Sequence, residues 1–193
     1  MKPLILLVVA LASAPASVPT PSRPPGYTAA DVAFMSGMIA HHAQAVQIAG
    51  WAPSHGANAA IRGLCERIVV AQQDEIALAQ RWLRDRNEPT PPADPRGHIM
   101  PGMDHPMLMP GMLTPRQMAQ LDSARGDEFD RLFLELMIQH HEGAVTMVNQ
   151  LLGAAGGAQD GVVFRFAADV YADQTTEIHR MQLMLDDLER SPR

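Results

Sequence analysis

The sequence predicts an all-α protein: a four-helix bundle made of two repeated helical hairpins, with a Met/His-rich crossover loop and a short extra helix. Three observations predict this fold. One sixteen-residue pattern occurs twice, and each copy is followed by a second repeated pattern. Both patterns place apolar side chains at helical spacing, and strand signals are absent. Four amphipathic helices with short turns inside each hairpin bury their apolar faces most simply as a bundle.

The two repeats align at a pair of histidines. The first pattern reads DVAFMSGMIAHHAQAV from Asp31 and DRLFLELMIQHHEGAV from Asp130, an offset of 99 residues. The second reads QQDEIALAQRWL from Gln72 and QTTEIHRMQLML from Gln174. Each half of the chain is therefore predicted to be one hairpin, in which a helix with paired histidines precedes a helix with a Gln-x-x-Glu-Ile motif.

The segments outside the hairpins have recognisable compositions. The first residues carry one lysine, an apolar run too short to span a bilayer, and an Ala-x-Ala cleavage site ending at Ala16, which is typical of a signal peptide. Thr114 and Pro115 form the usual start of a short helix. We expect residues 27–193 to form one domain. The predicted segments are a signal peptide at 1–16, a proline-rich tether at 17–26, the first hairpin at 27–90, a Met/His/Pro-rich linker at 91–113, and the short helix plus second hairpin at 114–193.

Charge and cysteine content exclude several classes of function. The formal net charge is -6, and loss of the leader would remove the only lysine, Lys2. An acidic chain without a basic run argues against nucleic-acid binding and offers no polybasic patch to a membrane. No second apolar stretch approaches the roughly 18 residues of a spanning helix. With one cysteine, Cys65, no intrachain disulfide can form. We expect a protein exported to the periplasm or the outside of the cell.

Helical geometry separates the two histidines of each pair. At about 100 degrees per residue, one histidine and the methionine a turn before it lie within about 20 degrees of the centre of the apolar stripe, while the other histidine lies near 80 degrees. The sequence therefore predicts a central and a marginal histidine in each copy. The central residues are Met38 with His42 and Met137 with His141, and the marginal ones are His41 and His140.

The second helix of each hairpin adds polar groups to the same interior. Gln72 is central on its helix and Glu75 borders it, and Gln174 and Glu177 hold the equivalent places beside Met181. An unpaired buried polar group costs about 1 to 3 kcal/mol, so this layer needs partners. Two interpretations stay open: the histidines are core residues hydrogen-bonded to these amides and carboxylates, or they are metal ligands.

The aspartates at the start of each pattern favour a capping role. Thr28 stands three residues before Asp31, which is close to a capping box. Asp127 with Asp130 is expected to do likewise for the second copy.

The methionines indicate a soft metal. Met38 and Met137 reach the paired histidines at i+3 and i+4, so that thioether and imidazole can converge on one ion. The linker cannot hold a helix, and core filling explains its methionines poorly, although a packed apolar lid is the alternative. Thioethers bind chiefly Cu(I) and Ag(I). The candidate ligands in the linker are His98, Met100, Met103, His105, Met107, Met109 and Met112.

The doubled D-x-x-F-x-x-x-M-I-x-H-H-x-x-A-V pattern and the trailing Q-x-x-E-I resemble the family called domain of unknown function 305. The resemblance covers about residues 27–188 and implies a ferritin-like four-helix fold. Since relatives of the CopM type are exported copper-binding proteins, it also implies copper binding and copper tolerance. The family commonly has methionine three residues after Glu-Ile; the second copy keeps it as Met181, but the first has Ala79. A site in the first half that drew on that thioether should be weaker.

Three functions compete. The first is an exported copper-binding protein that sequesters or chaperones Cu(I), has no enzymatic activity, and exchanges the ion with a copper-handling partner. The second is a ferritin-like metal-dependent oxidoreductase, which is disfavoured because no glutamate has a histidine three residues on. The third is a metal-free four-helix interaction module. The sequence leaves the oligomeric state open.

Overall fold

The computed structural model describes residues 26–97 and 107–190. All regular elements in this part of the chain are helices, which confirms the all-α prediction. Over the described ranges, none of them has an apolar stretch of the length that crossing a membrane requires. The helices are α1 (Ala29–Ala49), α2 (Ala59–Asp85), α3 (Pro115–Ser123), α4 (Asp127–Gly153) and α5 (Gly161–Arg190).

Four of the helices form the bundle, and the short α3 lies against it. Helix α1 packs along α2 and α4 packs along α5, as two hairpins. The hairpins meet mainly through α1 and α4. The two helices that carry the paired histidines are therefore the central pair of the bundle, and the Gln-x-x-Glu-Ile helices lie outside them.

Short-range sequence signals fix where several helices begin. Thr28 and Asp31 form a capping box at the start of α1, as predicted. Thr114 forms another with Gln117 at the start of α3. The expected equivalent at α4 is wrong: α4 begins after Gly126, whose φ of 57° only glycine adopts easily, and no side chain caps it. Side-chain oxygen atoms at an N-cap satisfy amides that would otherwise lack partners.

The two repeat aspartates instead share a role between the hairpins. Asp31 Oδ1 accepts a hydrogen bond of 2.7 Å from the Ala158 amide in the α4–α5 loop. Asp130 accepts bonds of 3.1 and 3.3 Å from the Asn58 amide in the α1–α2 loop. Each buried carboxylate therefore ties its own helix to the turn of the other hairpin, and the arrangement is reciprocal, as the repeat symmetry requires.

The apolar core is divided into two clusters. One surrounds Phe129, Phe133 and Met137 at one end of the bundle. The other surrounds Met38, Trp82 and other residues toward the opposite end. The predicted polar layer lies between these clusters, and its histidines and glutamines are almost completely buried.

The end of the linker is seated on the bundle by one repeat position in each copy. In α1, Gln44 donates to the Leu113 and Pro95 carbonyls and accepts a 2.6 Å bond from the Leu113 amide. In α4, the equivalent residue is Gly143, where an added Cβ would lie 2.0 Å from the Pro110 carbonyl oxygen and 2.5 Å from Gly111 Cα. The linker therefore covers α1, which is buried around most of its circumference.

Several predicted features lie outside the described residues. These are the signal peptide at 1–16, the tether at 17–26 apart from Gly26, and the linker ligands His98, Met100, Met103 and His105.

Candidate metal-binding site

The four repeat histidines form one continuous row across the bundle. The order is His42, His41, His140, His141, with ring centroids 6.1, 3.9 and 6.3 Å apart. The central contact joins α1 to α4, and it lies where the pseudo-two-fold axis between the hairpins passes. We call these four residues the histidine row.

Burial of the row corrects the prediction about its marginal members. His41 and His140 are 0% exposed, as deeply buried as His42 and His141. The helical angles place them correctly at one side of the stripe, but that side of α1 faces α4 and the linker rather than solvent. The doubled histidine is thus buried as a pair, and each partner of the pair faces a different neighbour.

A glutamate stands at each end of the row. His141 Nε2 lies 2.8 Å from Glu177 Oε2 and is hydrogen-bonded to it. His42 Nε2 lies 2.9 Å from Glu75 Oε2, but this contact falls outside hydrogen-bond geometry. The two carboxylates are 19% and 16% exposed, so they join the buried rings to the surface of the outer helices. These contacts are the ones that the Gln-x-x-Glu-Ile motifs predict.

The linker supplies a further partner on one side only. His41 Nε2 lies 3.0 Å from the Pro110 carbonyl oxygen. Neither ring nitrogen of His140, its repeat counterpart, meets hydrogen-bond geometry with any residue in the described ranges. The linker thereby makes two sequence-equivalent histidines chemically different.

The layer contains many polar atoms without a partner. Within the described part of the chain, each histidine of the row has an unpaired Nδ1, and His140 also has an unpaired Nε2. The buried side-chain amides of Gln72 and Gln174 lie in the same layer, and neither amide oxygen accepts a hydrogen bond from a described residue. Natural proteins leave few buried polar groups unpaired, and such groups call for an explanation. A cation held by the nitrogen lone pairs is one such explanation.

Burial also keeps two of the rings neutral. It lowers the pKa of His41 to about 3, with His42 acting in the same direction and the Pro110 hydrogen bond opposing the shift. Burial lowers the pKa of His140 well below its usual range, and the other three histidines of the row add to that effect. Neutral imidazole is the form that binds a metal.

The predicted helix methionines lie next to the layer on opposite sides. Met137 and Met181 belong to one apolar cluster. Met38 belongs to the other, together with Ala79, which stands where the family pattern would place a second thioether. All three methionines are 0% exposed. Of these three predicted ligands, two belong to the second hairpin and one to the first.

The described linker methionines fall into two kinds. Met112 is 4% exposed, and its Sδ accepts a hydrogen bond from the Met109 amide. Met109 lies against Gly37 of α1, whereas Met107 is 37% exposed. This part of the linker therefore covers the bundle, as the apolar-lid alternative expects. Its thioethers lie against α1, within the linker itself or at the surface.

The row is not preassembled as a chelate. In the described residues, no three His, Cys, Asp or Glu side chains are placed to hold a metal ion as they stand. His41 and His140 lie against each other instead, with ring centroids 3.9 Å apart. Cys65 contributes nothing here, because it belongs to an apolar cluster and burial raises the pKa of its thiol to about 12.

Sequence reasoning missed three linker-facing features of the site. The Pro110 carbonyl, the Gln44 amide and the close approach at Gly143 all bring the linker onto the row. A glycine inside an otherwise regular helix often marks a close approach of another backbone segment. Gly143, two residues after the paired histidines, was therefore a signal from which the contact with the linker could have been predicted.

Comparison with known proteins supports the fold and the family. The family model described as Domain of unknown function (DUF305) matches residues 31–185. A DUF305 protein from Streptomyces coelicolor, described as a secreted-protein candidate, is 28% identical over 85% of this chain and 96% of that one, with a TM-score of 0.71. A DUF305 fragment from Deinococcus radiodurans is also 28% identical, covers 84% and 99%, and has a TM-score of 0.69.

More distant structures share the fold. CopM in its Cu(I)-bound form is 23% identical over 81% of this chain and 96% of that one, with a TM-score of 0.63. CopM is also similar in Cu(II)-bound, silver-bound and apo forms. A search of curated protein sequences found no match.

Proposed function

The chain belongs to the DUF305 family, and we propose that this member is an exported copper-binding protein that holds Cu(I) at the histidine row. Its role is to sequester the ion or to pass it to a copper-handling partner, without catalysis. Export accords with the N-terminal segment that is typical of a signal peptide and with the description of the Streptomyces relative as secreted.

The observation that carries this proposal is the row itself. Four imidazoles are buried in one layer. Five of their nitrogens have no hydrogen-bond partner in the described structure, and a sixth, His42 Nε2, has only its unaligned contact with Glu75. Pure core packing would favour apolar side chains at these positions, because each unpaired polar atom costs about 1 to 3 kcal/mol. A metal ion turns that cost into a favourable interaction.

The surrounding donors favour a soft monovalent ion. Imidazole binds several transition metals, but thioether ligands select Cu(I). Met38 on one side of the layer and Met137 with Met181 on the other are buried beside it. The fold is shared with CopM, which is known in forms bound to Cu(I), Cu(II) and silver. The exposed Met107 and the linker residues His98, Met100, Met103 and His105 would offer a first, weaker capture site.

One observation favours a second candidate function. The contacts of His42 with Glu75 and of His141 with Glu177 provide two imidazole–carboxylate pairs inside a four-helix bundle. Such mixed ligands suit iron or manganese and would allow oxidase chemistry. Oxygen consumption by iron-loaded protein would support this function, and its absence together with tight Cu(I) binding would exclude it.

Competition with a chromogenic Cu(I) chelator tests the copper proposal. The test variant carries Met38→Leu, His42→Leu, Met137→Leu and His141→Leu, which keep apolar volume in the core. We expect its Cu(I) affinity to fall at least 100-fold, which corresponds to about 2.7 kcal/mol.

The matched control carries Met35→Leu, Met147→Leu and His179→Leu, which remove the same residue types away from the paired positions. It should bind Cu(I) as the wild type does. Equal affinity of the wild type and the test variant, with circular dichroism showing both folded, would rule out the helical site. Protein that stays metal-free after copper exposure in its native compartment would favour the interaction module.

A further inference from the structure

We propose that Glu177, Glu75 and the Pro110 carbonyl are positioning groups that fix three histidines of the row in the same tautomer. In that tautomer Nε2 carries the proton, and Nδ1 is the atom that binds Cu(I). This inference rests on the proposed copper function, which it deepens by assigning the ligand atoms.

The glutamates fix the two ends of the row. An ionised carboxylate can only accept hydrogen bonds, so the ring nitrogen that faces it must carry the proton. His141 Nε2 lies 2.8 Å from Glu177 Oε2, and His42 Nε2 lies 2.9 Å from Glu75 Oε2. In His141 the lone pair is therefore on Nδ1. His42 Nε2 is equally close to its carboxylate but not aligned with it, and repulsion between a nitrogen lone pair and the carboxylate favours the same tautomer there. Metal-binding histidines generally have such a partner on the other nitrogen, and it also raises the basicity of the ligand.

The linker fixes the third histidine by the same logic. A backbone carbonyl has no proton to give, so His41 Nε2 donates the 3.0 Å hydrogen bond to Pro110. This contact is held in place by the backbone, because Gly143 allows Pro110 and Gly111 to lie directly against α4. The lone pair of His41 is thus also on Nδ1.

The three Nδ1 atoms have no donor to pair with. Each is inaccessible to solvent and without a hydrogen bond among the described residues. The row therefore contains three buried lone pairs, one on each ring whose tautomer is set by the group that faces Nε2. Only a cation or a buried proton donor can satisfy these lone pairs. Since the nearby side-chain donors, Gln72 and Gln174, do not reach these atoms, we assign them to the metal.

His140 differs in a way that sharpens the assignment. It occupies the repeat position of His41, but the linker is present only once, and neither of its ring nitrogens has a hydrogen-bond partner in the described chain. Among the described residues no aligned hydrogen bond selects its tautomer. We therefore expect a single tautomer for His41, His42 and His141 and a mixture for His140.

Nitrogen-15 NMR of histidine-labelled, metal-free protein tests the assignment, because protonated and unprotonated imidazole nitrogens have very different shifts. At pH 7.5 we expect protonated Nε2 at His41, His42 and His141. His42 and His141 stand at opposite ends of the row, so one ion cannot contact both. Titration with Cu(I), which is diamagnetic, should shift Nδ1 of whichever of these rings binds each successive equivalent and leave Nε2 protonated. Protonated Nδ1 in the metal-free rings, or a Cu(I)-induced loss of the Nε2 proton, would overturn the assignment.

Variants at Glu177 separate positioning from simple structural support. Glu177→Gln places an N–H donor beside an acceptor oxygen, so either His141 tautomer becomes possible, and the Cu(I) affinity should fall less than when the acceptor is lost. Glu177→Leu removes it, so His141 should become a mixture and the Cu(I) affinity should fall roughly 10- to 100-fold. Glu142→Leu, at an exposed position of α4, is the matched control and should change neither. An unchanged His141 tautomer in Glu177→Leu would contradict the inference.

The two proposals can fail separately. If the wild type binds no Cu(I), the proposed function is wrong, and assignment of Nδ1 as a copper ligand falls with it. If the wild type binds Cu(I) tightly but the tautomers are mixed or reversed, copper binding stands and the positioning role is wrong.

Discussion

The two hairpins carry nearly the same sequence pattern, yet their histidine pairs have different surroundings. In the first hairpin, His41 is hydrogen-bonded to the linker and His42 approaches Glu75 without alignment. In the second, His140 has no such bond within the described residues, and His141 is hydrogen-bonded to Glu177. The linker occurs once and lies against one side of the row, which turns a duplicated unit into two unequal halves.

The same comparison extends to the positions that seat the linker. Gln44 and Gly143 are equivalent in the two copies, and both contact linker backbone. The first copy does so with a side-chain amide, and the second does so by having no side chain. The same repeat position therefore contacts the linker in two different ways, and both contacts keep the linker over the histidines.

The largest expected effect comes from filling the space at Gly143. In Gly143→Ala, Cβ would meet the backbone of Pro110 and Gly111, which cannot move aside as a flexible side chain could. We expect the free energy of unfolding to fall by about 3 kcal/mol, measured by urea denaturation. Gly153→Ala, in the same helix but with open space around its Cβ, is the control and should be neutral or slightly stabilising.

Next in size is the effect of acid on the metal-free protein. The folded-state pKa of His41 is about 3, below the ordinary value of 6.5, so the neutral ring contributes stability that is complete above pH 6.5 and is lost as the pH falls toward 3. Between pH 7 and 5 the loss from His41 is about 2 kcal/mol. His140 acts in the same direction.

Urea denaturation at several pH values measures this loss. His41→Leu should flatten the dependence, whereas His179→Leu, at an exposed position of α5, should leave it as in the wild type. A slope that His41→Leu leaves unchanged would show that the pKa of this ring is the same in the folded and unfolded protein.

The two repeat aspartates should differ by about 1 to 2 kcal/mol. Asp31 both caps α1 and accepts the 2.7 Å bond from Ala158, whereas Asp130 accepts only the longer bonds from Asn58. Burial also raises the pKa of Asp130, so its charged form is less favourable in the fold. We expect Asp31→Asn to destabilise more than Asp130→Asn in thermal unfolding. The reverse order would show that the Asn58 contact is the stronger tie.

The smallest expected effect concerns the thioether that only the second hairpin has. Met181→Leu keeps the apolar volume but removes sulfur, so the Cu(I) affinity should fall about tenfold, or about 1.4 kcal/mol. Met35→Leu, an equally buried methionine of α1, should have no effect on Cu(I) binding. Equal behaviour of the two variants would exclude Met181 as a ligand.

The sequence was sufficient for the parts of the fold that local patterns encode. Helical spacing predicted the hairpins, the Thr114 start of α3 and the burial of Gln72, Gln174, His42 and His141, because these depend on periodicity and capping alone. The family resemblance was also correct, since the doubled motif is long and specific.

Features that depend on contacts distant in sequence could not be predicted in the same way. His41 and His140 were expected at a margin, because helical angles give the side of a helix but not what covers it. The reach of Asp130 to Asn58 and of Asp31 to Ala158 likewise depends on how the hairpins dock. A capping interpretation was natural for both residues and correct only for Asp31.

The central claim is that the histidine row, rather than the linker, holds Cu(I) most tightly. Cu(I) stoichiometry and affinity in two variants test it most directly: a row variant with His41, His42, His140 and His141 changed to Leu, and a loop variant with His98, Met100, Met103, His105 and Met107 changed to Ser. We predict that the loop variant keeps the tightest Cu(I) equivalent and that the row variant loses it. A row variant that is folded and retains that equivalent, while the loop variant loses it, would contradict the account.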